Sequence, residues 1–206
     1  MIIDKSEQGT DEWFAARRGI PTASNFSKII TTTGKASTSA GGYMNELLAE
    51  WLADKSFAAE LNSEWVARGN ELEAEARAFY ELKSSADVEE VGLCYLNDQK
   101  LVGASPDGLV GEDGLLEIKC PKHSTHVGYL LARKLPSSYI QQVQGQLWVT
   151  GRQWCDFVSY HPDFETMIIR IERDESFITA LSASIARFNK MMLTLRSQLK
   201  PTMEAA

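Results

Sequence analysis

Tyr43, Leu47, Leu48, Trp51 and Leu52 recur every three to four residues, the spacing that lines one face of an α-helix. A second such run, from about Trp65 to Leu82, carries Leu72, Ala76, Phe79 and Tyr80 on its apolar side. Glu71, Glu73, Glu75 and Arg77 make its polar face. Near the start, Thr10-Asp11-Glu12 reads as a helix cap with acidic residues in the first turn; Gly19 ends the helix and Thr22 can cap another through Ile30. Residues 31–42, rich in Thr, Ser and Gly, read as a loop whose one charge is Lys35, either a solvated linker or a mobile lip over a site. The pattern then shifts towards strands. Val88–Leu96, Lys100–Ala104, Leu115–Cys120, Trp154–Tyr160 and Met167–Glu172 are short and apolar. Ser124–Arg133 and Ser137–Val149 predict helices among them, and Asp174 opens a last long helix with the stripe Phe177, Leu181, Ile185, Phe188 and Met192. This order predicts an α/β (α+β) domain with a central mixed sheet flanked by helices. No internal linker divides the chain, so residues 1–206 are expected to form one domain with a frayed tail at 200–206.

The chemistry gathers on one hairpin. Pro106-Asp107-Gly108 marks a bend, and Asp113-Gly114 predicts a tight turn. In the strand that follows, side chains two apart share a face, so Glu117 and Lys119 project together while Leu116 and Ile118 face a core. The hairpin folds Asp107 back to the level of this pair. Each piece alone has an ordinary explanation, a turn or the solvated face of a strand. Together they bring two carboxylates and an ammonium to one point, a set suited to phosphodiester hydrolysis. Asp107, Glu117 and the Ile118 carbonyl offer hard oxygens for Mg²⁺, and Lys119 can orient the attacking water. A second metal, roughly 3.5–4 Å from the first, would stabilise the leaving oxygen. Gln141, Gln142, Gln144 and Gln146 fall on more than one face of their helix, so at least one can face this centre.

Composition bounds the picture. Hydrophobic content of 44% is that of a globular protein. No stretch is long and apolar enough to span a membrane, no signal peptide is legible, and three scattered cysteines suggest no disulfide framework, which together point to the cytoplasm. Cys120 and His123 lack a second ligand pair, which argues against zinc. The net charge of −7 is unusual for a nucleic-acid protein, but bound cations offset acidic ligands and a surface can be locally basic.

Pro106-Asp107 followed by Glu117-Ile118-Lys119 resembles the PD-(D/E)xK nuclease superfamily, whose fold is restriction-endonuclease-like. Four segments are similar more narrowly to the YqaJ/lambda-exonuclease family. These are Trp13 to Ser24, Gly69 to Arg77, the metal hairpin from Ser105 to Pro121, and Tyr139 to Thr150. The resemblance implies a processive 5′→3′ exonuclease on duplex DNA, acting as a ring-shaped homotrimer with two Mg²⁺ ions per site, Mn²⁺ being a substitute. It implies a 3′ single strand left for an annealing protein and a phage or prophage origin in a bacterial cell. Carried over by motif, Asp107, Glu117 and the Ile118 carbonyl bind metal, Lys119 positions the water, Glu73 joins the metal site directly or through water, and Gln142 sits beside it. Arg17, Ser24 and Ser105 would hold a 5′-phosphate.

Two departures stand out. A second phosphate-binding Arg of the family falls at Thr125, leaving Lys122 or His123 as substitutes. An aliphatic wedge falls at the smaller Val66, with Trp65 beside it; Trp65, Val66, Lys122, His123 and Lys35 are the candidate DNA contacts. A PD-(D/E)xK endonuclease and a non-catalytic DNA-end-binding protein are the alternatives.

Overall fold

The computed structural model describes the backbone of residues 1–57 and 64–204 and the side chains of residues 1–57 and 72–199. Its centre is a five-stranded mixed sheet. The strands are β2 (Val88–Glu89), β5 (Gly108–Val110), β6 (Gly114–Lys119), β7 (Trp154–Ser159) and β8 (Met167–Glu172), in spatial order β2-β5-β6-β7-β8. β6 pairs with β7 in parallel; the other pairings are antiparallel. β6 is covered on both faces. Leu116 and Ile118 pack with Ala76 and Tyr80 of α3 (Glu64–Ser84). Leu115 packs with Val143 and Leu147 of α5 (Ile140–Thr150), behind which lie α2 (Ala40–Ala53) and α6 (Glu175–Glu204). The crossover from β6 to β7 runs through α4 (His123–Ala132) and α5. A small sheet of β1 (Ile2–Ile3), β3 (Cys94–Tyr95) and β4 (Gly103–Ala104) packs with α1 (Asp11–Arg17).

Several elements follow the periodicity closely. Thr10 caps α1, accepting from the Trp13 N–H at 3.3 Å. Asp174 caps α6, accepting from Phe177 N–H, and Leu181, Ile185, Phe188 and Met192 of the expected stripe are buried. β7 and β8 fall where expected. The expected frayed tail, 200–206, lies outside the described side chains.

Other expectations are corrected. Thr22 stands at the N-cap position, but the segment it opens, Ala23–Lys28, is a 3₁₀ helix, and its hydroxyl makes no cap bond and sits 3.3 Å from Arg17 Nη2. Ala23, Phe26 and Ile29, three apart, are all buried, and a 3₁₀ helix stacks residues at that interval. Ser137 likewise starts a 3₁₀ turn, without a cap bond, before α5. The predicted strands over 88–104 break into β2, β3 and β4, because the chain leaves the large sheet for the small one and Lys100 adopts a φ of 53°. Phe79 is 39% exposed, since among the described residues of α3 it is Ala76 and Tyr80 that pack against the sheet.

The turn also differs. Asp113-Gly114 is not its centre; Val110 pairs with Gly114, leaving residues 111–113 as the loop, with Gly111 at φ 53°. Gly114 instead lies beneath the Trp154 ring, where a Cβ would come within 2.2 Å of two ring carbons. That ring is covered on its face by the Arg170 guanidinium at 3.5 Å, so it has little room to retreat. Gly114→Ala is expected to destabilise the fold by about 1–3 kcal/mol through overpacking. Urea unfolding followed by tryptophan fluorescence checks this, and an unchanged midpoint would refute it.

Candidate active site

The hairpin places Asp107 immediately before the first residue of β5. Its N–H donates to the Leu116 carbonyl at 3.1 Å, and its Oδ2 accepts from the Ile118 N–H at 2.6 Å. A strand residue's N–H and C=O leave by the same edge, so the Ile118 carbonyl also points to the Asp107 side, past the end of β5. Glu117 projects from the opposite face to Leu116 and Ile118 and meets α5. It is fully buried, yet each carboxylate oxygen accepts an amide: Oε1 from Gln142 Nε2 and Oε2 from Gln146 Nε2, both at 2.5 Å. Lys119 forms an ion pair with Glu117 Oε1.

Burial and the neighbouring Glu117 raise the Asp107 pKa well above its ordinary value, with Lys119 acting in opposition. For Lys119, burial favours the neutral amine, but Glu117 and Asp107 outweigh it and the pKa is raised. Lys119 is therefore a cation at neutral pH. The centre crowds two carboxylates against one ammonium, with hard oxygens facing one edge. That donor chemistry fits a divalent cation such as Mg²⁺.

Glu73 reaches this centre from α3. Burial raises its pKa and Glu117 adds to the shift, while Arg77 and Lys119 oppose it. Arg77, one turn on, donates to Glu73 Oε1 at 3.1 Å and also pairs with Glu90. Among the described residues no group of three His, Cys, Asp or Glu side chains forms a ready-made metal cage. Asp107 and Glu73 line a cleft of about 720 Å³ that also borders Trp13, Gln8 and Arg77.

Arg17 builds a second subsite beside the first. Its guanidinium donates to the hydroxyls of Ser24 (3.2 Å), Thr22 (3.3 Å) and Ser105 (3.5 Å). Trp13, one helical turn earlier, stacks on the guanidinium at 4.0 Å and donates its indole N–H to Ser105 Oγ at 3.1 Å. Burial lowers the Arg17 pKa to about 10, so it stays charged at neutral pH. Among the described residues Arg17 is held by hydroxyls rather than by a carboxylate, which keeps its charge available for an anionic ligand.

Residues 12–153 match the YqaJ-like viral recombinase domain. The chain belongs to this family. The structure of an alkaline exonuclease, LHK-Exo, from Laribacter hongkongensis is similar at 38% identity and a TM-score of 0.85, over 95% of this chain and 99% of that one. A complex of LHK-Exo with dAMP is similar at 38% identity and a TM-score of 0.83, over 96% and 100%. A phage related exonuclease from Haemophilus somnus 129PT shares the fold at 18% identity and a TM-score of 0.67, over 87% of this chain and 96% of that one. The uncharacterized protein R354 of Acanthamoeba polyphaga mimivirus is 32% identical over 111 residues, 48% of this chain; the match spans about a fifth (20%) of that relative's length.

This YqaJ-family chain brings together Asp107, Glu117, Lys119 and Gln142, and separately Arg17, Ser24 and Ser105. Lys122, His123 and Thr125 are exposed at the start of α4. Lys35 is exposed in its loop, where its backbone bonds to Thr31. The side chains of Trp65 and Val66 lie outside the described residues. Sequence reasoning gave Trp13 no place in the site, read Thr22 only as a helix cap, and did not single out Gln146 from the other glutamines. A signal existed for two of them: Trp13 stands four residues before Arg17, and Gln146 four after Gln142, the interval that aligns side chains on a helix.

Proposed function

We propose that this chain is a Mg²⁺-dependent exonuclease that digests one strand of duplex DNA from a 5′-phosphorylated end, in the 5′→3′ direction. The observation that carries this is the pairing of the Asp107–Glu117–Lys119 centre with the Arg17–Ser24–Ser105 pocket, joined through Ser105 on the approach to the hairpin. The similarity to LHK-Exo, an alkaline exonuclease with a dAMP complex, supports it.

Asp107, Glu117 and the Ile118 carbonyl would hold the metal, with Glu73 joining directly or through water. When bound, Mg²⁺ acts as a Lewis acid on the scissile phosphate and lowers the pKa of attacking water. Arg17, Ser24 and Ser105 grip the terminal 5′-phosphate by charge-assisted hydrogen bonds and thereby set which phosphodiester meets the carboxylates. Lys119 donates hydrogen bonds that orient the water and offset charge on the phosphorane. Glu117 is held still by the α5 amides, so Lys119 has a fixed partner. Water adds to phosphorus, the 3′-oxygen of the terminal nucleotide leaves, and the shortened strand carries a new 5′-phosphate for the pocket. Processive digestion by a homotrimeric ring and delivery of the 3′ strand to a single-strand annealing protein belong to the same proposal. Among the described residues no helix is long and apolar enough to cross a membrane.

The test is a digest of linear duplex bearing a 5′-phosphate on one end and a 5′-hydroxyl on the other, beside a covalently closed circle. Degradation should need Mg²⁺, start at the phosphate and spare the circle. Arg17→Ala should lose roughly 10-fold or more of the end preference, since a hydrogen bond to a charged group contributes about 1.5–3 kcal/mol. It should leave the assembly mass unchanged by light scattering. Cutting of the circle would identify an endonuclease, and an unchanged end preference would return Arg17 to a purely structural role.

A further inference from the structure

The two carboxylate oxygens of the buried Glu117 are served unequally. Oε1 receives both the Gln142 amide and the Lys119 ammonium. Among the described residues Oε2 receives Gln146 alone, at 2.5 Å. Gln146 is fully buried, and its own Oε1 has no hydrogen-bond partner among the described residues. A buried acceptor left in that state costs about 1–3 kcal/mol. Turning the amide over would set its oxygen against the carboxylate, so Glu117 dictates the orientation. Gln141 Oε1 is likewise without a partner among the described residues, so it is the donation of Gln146 to Glu117 Oε2, not the unpaired oxygen, that sets Gln146 apart. The same Nε2 lies 3.5 Å from the Ser105 carbonyl, the residue whose hydroxyl meets Arg17 and Trp13. Gln146 therefore touches both halves of the site. Its neighbour Gln141, equally buried, spends its amide on the Ile30 carbonyl, away from the hairpin.

Building on the metal-dependent nuclease proposed above, we propose that Gln146 is a positioning residue. It holds Glu117 Oε2 aimed for cation coordination and ties the metal-binding strand to the phosphate pocket. The partners that orient a metal ligand typically matter 10–100-fold in metal affinity or activity. The mechanism needs only a donor at this place, so removing the amide while keeping the volume isolates its role.

Gln146→Met and Gln141→Met are compared with the parent by calorimetric titration of Ca²⁺, which reports coordination without turnover, and by kcat and KM on 5′-phosphorylated duplex. Gln146→Met should bind Ca²⁺ about 10–100-fold more weakly and lose kcat by a similar factor, whereas Gln141→Met should move Ca²⁺ affinity by no more than about twofold. A folded Gln146→Met with parental Ca²⁺ affinity and kcat overturns the proposal, as does an equal loss in both variants. Should Gln146→Met fail to fold, the parent labelled with ¹⁵N-glutamine decides. The Gln146 side-chain amide signals must shift on adding Ca²⁺ while those of Gln141 stay, and a motionless Gln146 refutes the role. A parent that binds no divalent ion would instead remove the metal-dependent nuclease on which the proposal rests.

Discussion

Lys119→Ala should abolish strand degradation while DNA ends are still bound in Ca²⁺. The reason lies in how Lys119 is held. Its ammonium is kept charged by Glu117 and Asp107 and is aimed at the carboxylate centre, so its hydrogen bonds can serve the developing phosphorane. Groups that assist proton movement or stabilise transition-state charge contribute about 10²–10⁴-fold to rate. A loss of that size is expected in kcat, with little change in the Kd for 5′-phosphorylated duplex. The effect on the metal should run the other way. Removing a cation from beside two carboxylates lessens repulsion of a divalent ion, so Ca²⁺ should bind the variant as tightly as the parent or more tightly. Single-turnover digestion and calorimetry measure the two arms. Turnover within a few-fold of the parent would take Lys119 out of the chemistry, and a loss of end binding in step with kcat would make it a DNA-binding residue.

Asp107→Ala and Glu117→Ala should each eliminate cleavage and weaken Mg²⁺ binding beyond the roughly 10–100-fold typical of a partner once removed from the metal. The two differ in what else they disturb. Asp107 Oδ2 accepts from the Ile118 N–H, so its removal leaves a strand amide unpaired, at a cost of about 1–3 kcal/mol. Asp107→Asn keeps an acceptor there and removes only the charge; it should be as inactive as Asp107→Ala but closer to parental in stability. Glu117→Ala strands the Gln142 and Gln146 amides in a buried place and should lower the melting temperature despite relieving carboxylate crowding. Calorimetry with Mg²⁺ and thermal unfolding of the three variants give the answer. Undiminished Mg²⁺ binding in all three would reassign the carboxylates to a structural network.

Periodicity determined a good deal here. Alternation along β6 is a property of the backbone, so Glu117 and Lys119 had to share a face, and a hairpin had to bring Asp107 level with them. The caps at Thr10 and Asp174 and the buried stripe of α6 are equally local, set by hydrogen bonds and side chains within a turn or two. The motif order was enough to place the chain among the YqaJ-like recombinases before any coordinates. Tertiary structure decided where each amide and hydroxyl went. Four glutamines of one helix look alike in sequence; which two meet Glu117 depends on how α5 lies across β6, because a helix turns 100° per residue and only one side can face a given strand. Arg17 and Ser105 are 88 residues apart, and only the packing of α1 beside the hairpin brings them together. Gly114 had the chemistry of a turn but became the floor beneath Trp154, since a glycine's place depends on what presses against it as much as on the angles it permits. Thr22, a plausible cap in isolation, was taken by Arg17, because a hydroxyl beside a half-buried cation gains more from that charge than from a helix N–H.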